Sequence, residues 1–249
     1  MKIIFHEKYY QVYTYDPAAS AGRMEAIYQE IKDFEIVEAI PAQDEDILLV
    51  HTEGHLKRVK SNGLVYPIAL LAAGGAIISS EFAFDNEPAF ALIRPPGHHA
   101  SPDSCWGFCY FNNIAIAIQK LISERKIERA AIIDFDLHYG DGTDNFFRGS
   151  KHVIYHHGEG QTNTKFVNDI AKFLRRISDV DIIGVSAGFD RHEADWGGLL
   201  KTEDYRTIGT IIKEFTDKNC FGRRFAVLEG GYNHDVLGVN VRAFIEGFQ

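Results

Sequence analysis

Six short apolar, β-branched runs recur along this chain, at Lys2 to Phe5, Ala89 to Ile93, Arg129 to Asp136, His152 to Tyr155, Asp181 to Ser186 and Phe225 to Glu229. Most are separated by stretches whose apolar residues return at helical spacing, and this alternation predicts a largely parallel sheet. The helices are expected at about Ala21 to Asp33, Ile68 to Ser80, Asn113 to Arg125, Asn163 to Ile177, Thr202 to Lys218 and Asp235 to Gly247. A mainly parallel sheet is buried on both sides, so helices are expected on both of its faces. With 249 residues, 45% of them hydrophobic, and no repeat, low-complexity tract or linker-like stretch, the chain is expected to form one α/β domain over residues 1–249.

Composition narrows the function classes. The residues after Met1 do not form a signal-like apolar segment, and no later apolar stretch is read as approaching the roughly 20 residues of a membrane helix, so no membrane partner is expected. Three cysteines, Cys105, Cys109 and Cys220, cannot all pair with one another and form no C-x-x-C motif, which fits a reducing, cytoplasmic setting better than a disulfide scaffold. A formal net charge of −9 disfavours direct nucleic-acid binding. It suits small cationic molecules or basic peptides.

The polar residues of interest fall where strands are predicted to end, and in an open parallel sheet that edge is where ligands bind. The segment from Ala130 to Thr143 begins as a buried strand and then carries Asp134, Asp136 and His138 at alternate positions, which share one face if the chain is extended. Two carboxylates beside an imidazole on an apolar strand are costly to bury unless a cation compensates them, so the segment points to a metal. A second strand brings Asp190 to its own end after Ser186-Ala-Gly-Phe. Two carboxylates and one histidine leave room for water and substrate, the arrangement of a catalytic metal rather than a structural one. Asp190 capping a turn, or pairing with Arg191 or His192, is the plainer alternative. Tandem histidines, His98 and His99, follow Arg94-Pro-Pro-Gly. Adjacent histidines diverge on an extended backbone, so they suit acid/base work better than joint ligation. Glu229-Gly-Gly-Tyr232 closes the set, with two glycines that permit a tight turn and a phenol that can point inward.

Together, Arg94-Pro-Pro-Gly-His-His99, Gly107-Phe-Cys-Tyr-Phe-Asn-Asn113, Asp134-x-Asp-x-His138 with Gly140-Asp-Gly-Thr143, Ser186-Ala-Gly-Phe-Asp190 and Glu229-Gly-Gly-Tyr232 resemble histone deacetylases and the related acetylpolyamine amidohydrolases, in order and over nearly the whole chain. The resemblance implies a three-layer arginase/deacetylase-like fold with about eight strands, and a zinc-dependent hydrolase deacetylating an acetyl-lysine peptide or a small cationic acyl-amine such as an acetylated polyamine. It implies that Asp136, His138 and Asp190 bind Zn2+, with Fe2+, Co2+ or Mn2+ also suited to such an oxygen-rich donor set. His98 and His99 would be the catalytic pair, oriented by Asp134 and Asp141 respectively. Tyr232 would hydrogen-bond the substrate carbonyl, Gly107 and Phe108 would wall the acyl channel, and Asp134 would also border a K+ site.

The chain departs from the family pattern in two places. The connections after His51 and after His157 are short, so the channel is expected to be shallower, differently walled or completed by another subunit. His156 and His157 stand where the family surrounds its monovalent cation. The remaining histidines, His6, His51, His55, His152, His192 and His234, lack partners at metal spacing and are read as structural or exposed. Two other functions stay in view: an arginase-like ureohydrolase, which the tandem histidines and the Asp134 to His138 order disfavour, and a metal-binding deacetylase-like module without turnover.

Overall fold

A computed structural model describes residues 1–249. Seven parallel strands form one sheet: β1 (Lys2–Phe5), β2 (Glu35–Glu38), β3 (Ala89–Ala91), β4 (Ala130–Asp134), β5 (Val153–His157), β6 (Ile182–Ala187) and β7 (Arg224–Leu228), in the spatial order β2-β1-β3-β7-β6-β4-β5. The expectation of about eight strands is corrected to seven. The strand that the apolar runs did not predict is β2, whose Ile36 and Val37 stand between Glu35 and Glu38 at the sheet edge and are only half-buried. Charges on an edge strand discourage pairing with another chain, and they also erase the apolar run that would announce it.

The helices are α1 (Arg23–Ile31), α2 (Asp44–Ile47), α3 (Glu53–Lys60), α4 (Val65–Phe84), α5 (Asn113–Ser123), α6 (Asp141–Phe147), α7 (Asn163–Arg176), α8 (Thr202–Asn219) and α9 (His234–Phe248). They pack as two sets: α1, α9, α8 and α7 in one row, and α4 and α5 with α2, α3 and α6 in the other. Here too the sequence reading needs correction. α4 is long and apolar enough, by length and composition, to span a membrane. Two-thirds of it is buried, and it lies against β1, β3 and β7 as a core helix.

β3, β7, β6 and β4 are neighbours in the sheet, and all four point their carboxyl ends the same way. In register, Asp134 of β4 lies beside Ser186 of β6, which lies beside Val227 of β7. The residues that follow these strands are therefore delivered to one edge.

Candidate active site

Each strand end turns by a different local device. After β4 the chain leaves the extended conformation, and two carboxylates hold the following turn: Asp134 Oδ1 accepts from the Asp136 N–H (3.0 Å) and Asp136 Oδ1 from the His138 N–H (2.9 Å). Such Asx bonds, two residues along the chain, keep the alternate side chains on one side without a strand. After β3, His98 and His99 are the central residues of a turn closed by the Ala100 N–H on Gly97 O (2.9 Å), which brings their rings to a centroid distance of 4.1 Å. The divergence expected of adjacent histidines is removed by that turn. After β7, Gly230 donates its N–H to Asp136 Oδ2 (2.8 Å), and a Cβ there would stand 2.5 Å from that oxygen and 2.8 Å from Asp190 Oδ2. Only glycine lets the backbone come so close.

Asp136, His138 and Asp190 meet, with one donor atom from each within 4.8 Å of the others. His138 Nδ1 lies 3.4 Å from Asp136 Oδ1 and 3.3 Å from Asp190 Oδ2. Asp190 does not pair with Arg191: its Oδ1 accepts from the Leu137 N–H (2.9 Å), while its buried Oδ2 has no hydrogen-bond partner. Burial, and then the neighbouring Asp136 carboxylate, push the Asp190 carboxyl up to about 6. His138 is drawn up to about 10 by the same two carboxylates, Asp136 first. Crowded carboxylates with an orphaned oxygen are the chemistry a divalent cation relieves, and the three donors fit one.

The tandem histidines have separate carboxylate partners. His98 Nδ1 donates to Asp134 Oδ2 (3.0 Å), and His99 Nδ1 to Asp141 Oδ1 (2.6 Å). Asp141 opens α6, where the helix N-terminus favours a negative charge. Burial opposes charge on both rings, with opposite results. At His98 the Asp136 and Asp134 carboxylates outweigh burial and hold the imidazole well above its ordinary value. At His99 burial and the charge of His98 prevail, and the ring is pulled down to about 4.

His98, His99 and His138 line a pocket of about 110 Å³, with Gly107, Phe108 and Tyr232 in its wall. That is the share of three or four waters at roughly 30 Å³ each, room for a small linear group. Tyr232 faces Phe108 edge-on at 6.0 Å, and burial pushes its phenol well above the ordinary range, so its O–H stays a donor. Phe108 holds a positive φ of 67°, a conformation that a bulky residue rarely adopts and that turns its backbone beside the pocket.

Several residues around the site were not identified from sequence. The Trp106 indole N–H donates to both Asp141 oxygens (3.1 and 2.9 Å), and its ring lies on His99 at 3.9 Å. Trp196 stacks on Tyr232 at 4.0 Å. Both of the chain's tryptophans are more than half exposed, at 55% and 54%, and both rim this pocket. A large aromatic beside each motif was the available signal. Tyr155 donates its O–H to Asp134 Oδ2 (2.9 Å). Glu229 is fully buried, accepts from the Gly97 and His98 N–H groups and the Ser186 hydroxyl, and is pushed up by burial to about 7. Its oxygens are thus committed, although with His98 and Cys109 it forms a second cluster of metal-capable side chains. His156 and His157 diverge: His156 pairs with Asp169 (2.8 Å) and stacks on Phe173, whereas His157 turns toward Arg191.

The sequence matches the family described as histone deacetylase domain over residues 18–161 and 156–248, two stretches that meet at the short connection after β5. It is 30% identical to a probable deacetylase of Methanothermobacter thermautotrophicus, covering 98% of this chain and 90% of the relative. That alignment spans 302 positions against 249 residues here, so the relative carries segments this chain lacks. It is 31% identical to a probable deacetylase of Archaeoglobus fulgidus, covering 93% and 81%. It is 29% identical to a histone deacetylase-like amidohydrolase of Pseudomonas aeruginosa, covering 78% and 65%. The crystal structure of the HDA15 HD domain superposes with a TM-score of 0.85 at 21% identity, over 100% of this chain and 90% of that one, and so shares its fold. The chain belongs to the histone deacetylase family.

Proposed function

We propose that this chain is a metal-dependent hydrolase that removes the acetyl group from an N-acyl amine, either acetyl-lysine in a peptide or an acetylated polyamine. One observation carries the reading: two histidines with separate carboxylate partners and opposite charge tendencies stand over a three-donor cluster in one narrow pocket.

Asp136, His138 and Asp190 would hold the metal, with Zn2+ first and Fe2+, Co2+ or Mn2+ also suited to this donor set. A divalent cation there would polarise the substrate carbonyl and lower the pKa of a water beside it. His99, neutral and fixed by Asp141, accepts the proton of the attacking water and returns it to the departing nitrogen. The carbon–oxygen bond forms, the carbon–nitrogen bond breaks, and acetate and amine leave. His98, kept charged by Asp134 and Asp136, places a positive group beside the carbon under attack. Tyr232 donates its O–H to the carbonyl oxygen as negative charge grows there, a contribution of about 3 to 4 kcal/mol for a well-placed donor. Phe108 and Trp196 flank the stem of the substrate, and the half-exposed tryptophan faces suit an ammonium group at its far end.

His138, with 41% of its side chain exposed, lies close to solvent, which fits a shallow channel open to either substrate. Acetate release from an acetyl-lysine peptide and from an acetylated polyamine, with each metal in turn and His99→Ala as control, tests the reading. Turnover of one class by the wild type and at least a hundredfold less by the variant is expected. No release from any acyl amine by fully metallated protein would overturn it.

A further inference from the structure

We infer that the Arg191 guanidinium occupies the place of the monovalent cation in this chain, so that the metal-site turn is held without potassium. The family resemblance implies K+ beside Asp134 and the end of β5. Between those two strand ends lies Arg191, buried, with its Nε donating to Asp136 O (2.9 Å) and a terminal nitrogen donating to Leu137 O (3.2 Å), His157 Nε2 (2.8 Å) and Gly158 O (3.4 Å). Its plane covers the Phe166 ring at 4.5 Å.

An alkali cation binds through a shell of carbonyl and carboxylate oxygens. Here those oxygens already have N–H or O–H partners. The Asp136 and Leu137 carbonyls take Arg191, Asp134 Oδ1 takes the Asp136 N–H, and Asp134 Oδ2 takes His98 and the Tyr155 hydroxyl. A second cation sharing these oxygens would also be repelled by the guanidinium. The need for a cation is nonetheless real, because Asp134, Asp136 and Asp190 are all buried. A planar, permanently charged fork tied to the backbone supplies that charge, and it fastens the β4 turn to the end of β5.

Thermal unfolding and acetate release, measured in potassium chloride and in choline chloride at equal ionic strength, test this. The wild type is expected to show the same Tm and the same kcat/KM in both salts. Arg191→Ala, which opens the cavity, is expected to unfold lower in choline and to regain about 3 °C or more in potassium or in millimolar guanidinium. Arg191→Lys, which keeps the charge, is expected to stay indifferent to potassium. A wild-type Tm that rises saturably with potassium overturns the inference, as does a folded Arg191→Ala indifferent to both cations. The Tm measurements stand whether or not the chain turns over an acyl amine, so failure of the proposed reaction and failure of this inference are told apart.

Discussion

Two pairs of histidine rings lie against each other inside this protein, His98 tilted on His99 at a ring distance of 4.1 Å and His51 stacked on His55 at 4.8 Å, and their surroundings differ. In the first pair each Nδ1 meets a carboxylate, and both rings line a pocket. In the second no carboxylate is involved: His51 Nδ1 donates to Ser101 O (3.0 Å), its Nε2 accepts from the Asn112 N–H (2.9 Å), His55 Nε2 donates to Tyr110 O (2.7 Å), and the Arg58 guanidinium donates to His55 Nδ1 (3.4 Å). A carboxylate partner lets an imidazole change charge at modest cost, whereas a carbonyl on one side and an N–H on the other fix it neutral. The proposed chemistry rests on the first pair, whereas the second ties loops together.

The sharpest way to break this comparison is to exchange the damage. His99→Ala should lower kcat/KM by about 10²- to 10⁴-fold with Tm little changed, while His55→Ala should lower Tm and leave kcat/KM within about threefold. Equal losses of activity from the two would erase the distinction. Tyr232→Phe comes next, with about 10²- to 10³-fold lost from kcat and little change in KM, read by steady-state kinetics. Asp141→Asn should cost about 10- to 100-fold, as expected for a group that orients another, and Trp106→Phe less, since it removes one N–H partner of Asp141 and keeps an aromatic face on His99.

The smallest effect on activity, and the clearest on stability, concerns His51. Burial, and then the neighbouring His55, lower its pKa from 6.5 to about 3 in the folded protein. The unfolded chain therefore binds the proton more readily. The stability this neutral ring contributes is complete above about pH 6.5 and is lost as pH falls toward 3, by about 2 kcal/mol at pH 5. Urea unfolding at pH 7 and pH 5 should show that His51→Gln narrows the difference between the two. An unchanged difference would remove His51 from the account.

These particulars mark what the sequence could carry. The ends of β4, β6 and β7 were legible because an apolar run that stops at a carboxylate or a Gly-Gly pair leaves a pattern in one dimension. The six helices read from spacing all formed, with ends within a few residues of those expected. α6 escaped because it is short, so apolar spacing has no room to repeat, and because it begins inside the Asp134 to Thr143 motif. Arg191 escaped because three of its four partners are carbonyls, which no residue type announces, and because Asp190 next to it offered a more obvious ion pair. Trp106 was visible as a residue but not as a donor to Asp141, since a contact across 35 positions has no period.

In the proposed reaction, three side chains at two strand ends hold one metal ion on which deacetylation depends. Titrating metal-stripped protein with Zn2+ while recording acetate released from an acetylated amine tests it most directly. Activity is expected to rise in proportion to added metal, to stop at one equivalent per chain, and to fail to rise at that stoichiometry in Asp190→Asn. Full activity in stripped protein, or a rise in Asp190→Asn that matches the wild type, would contradict it.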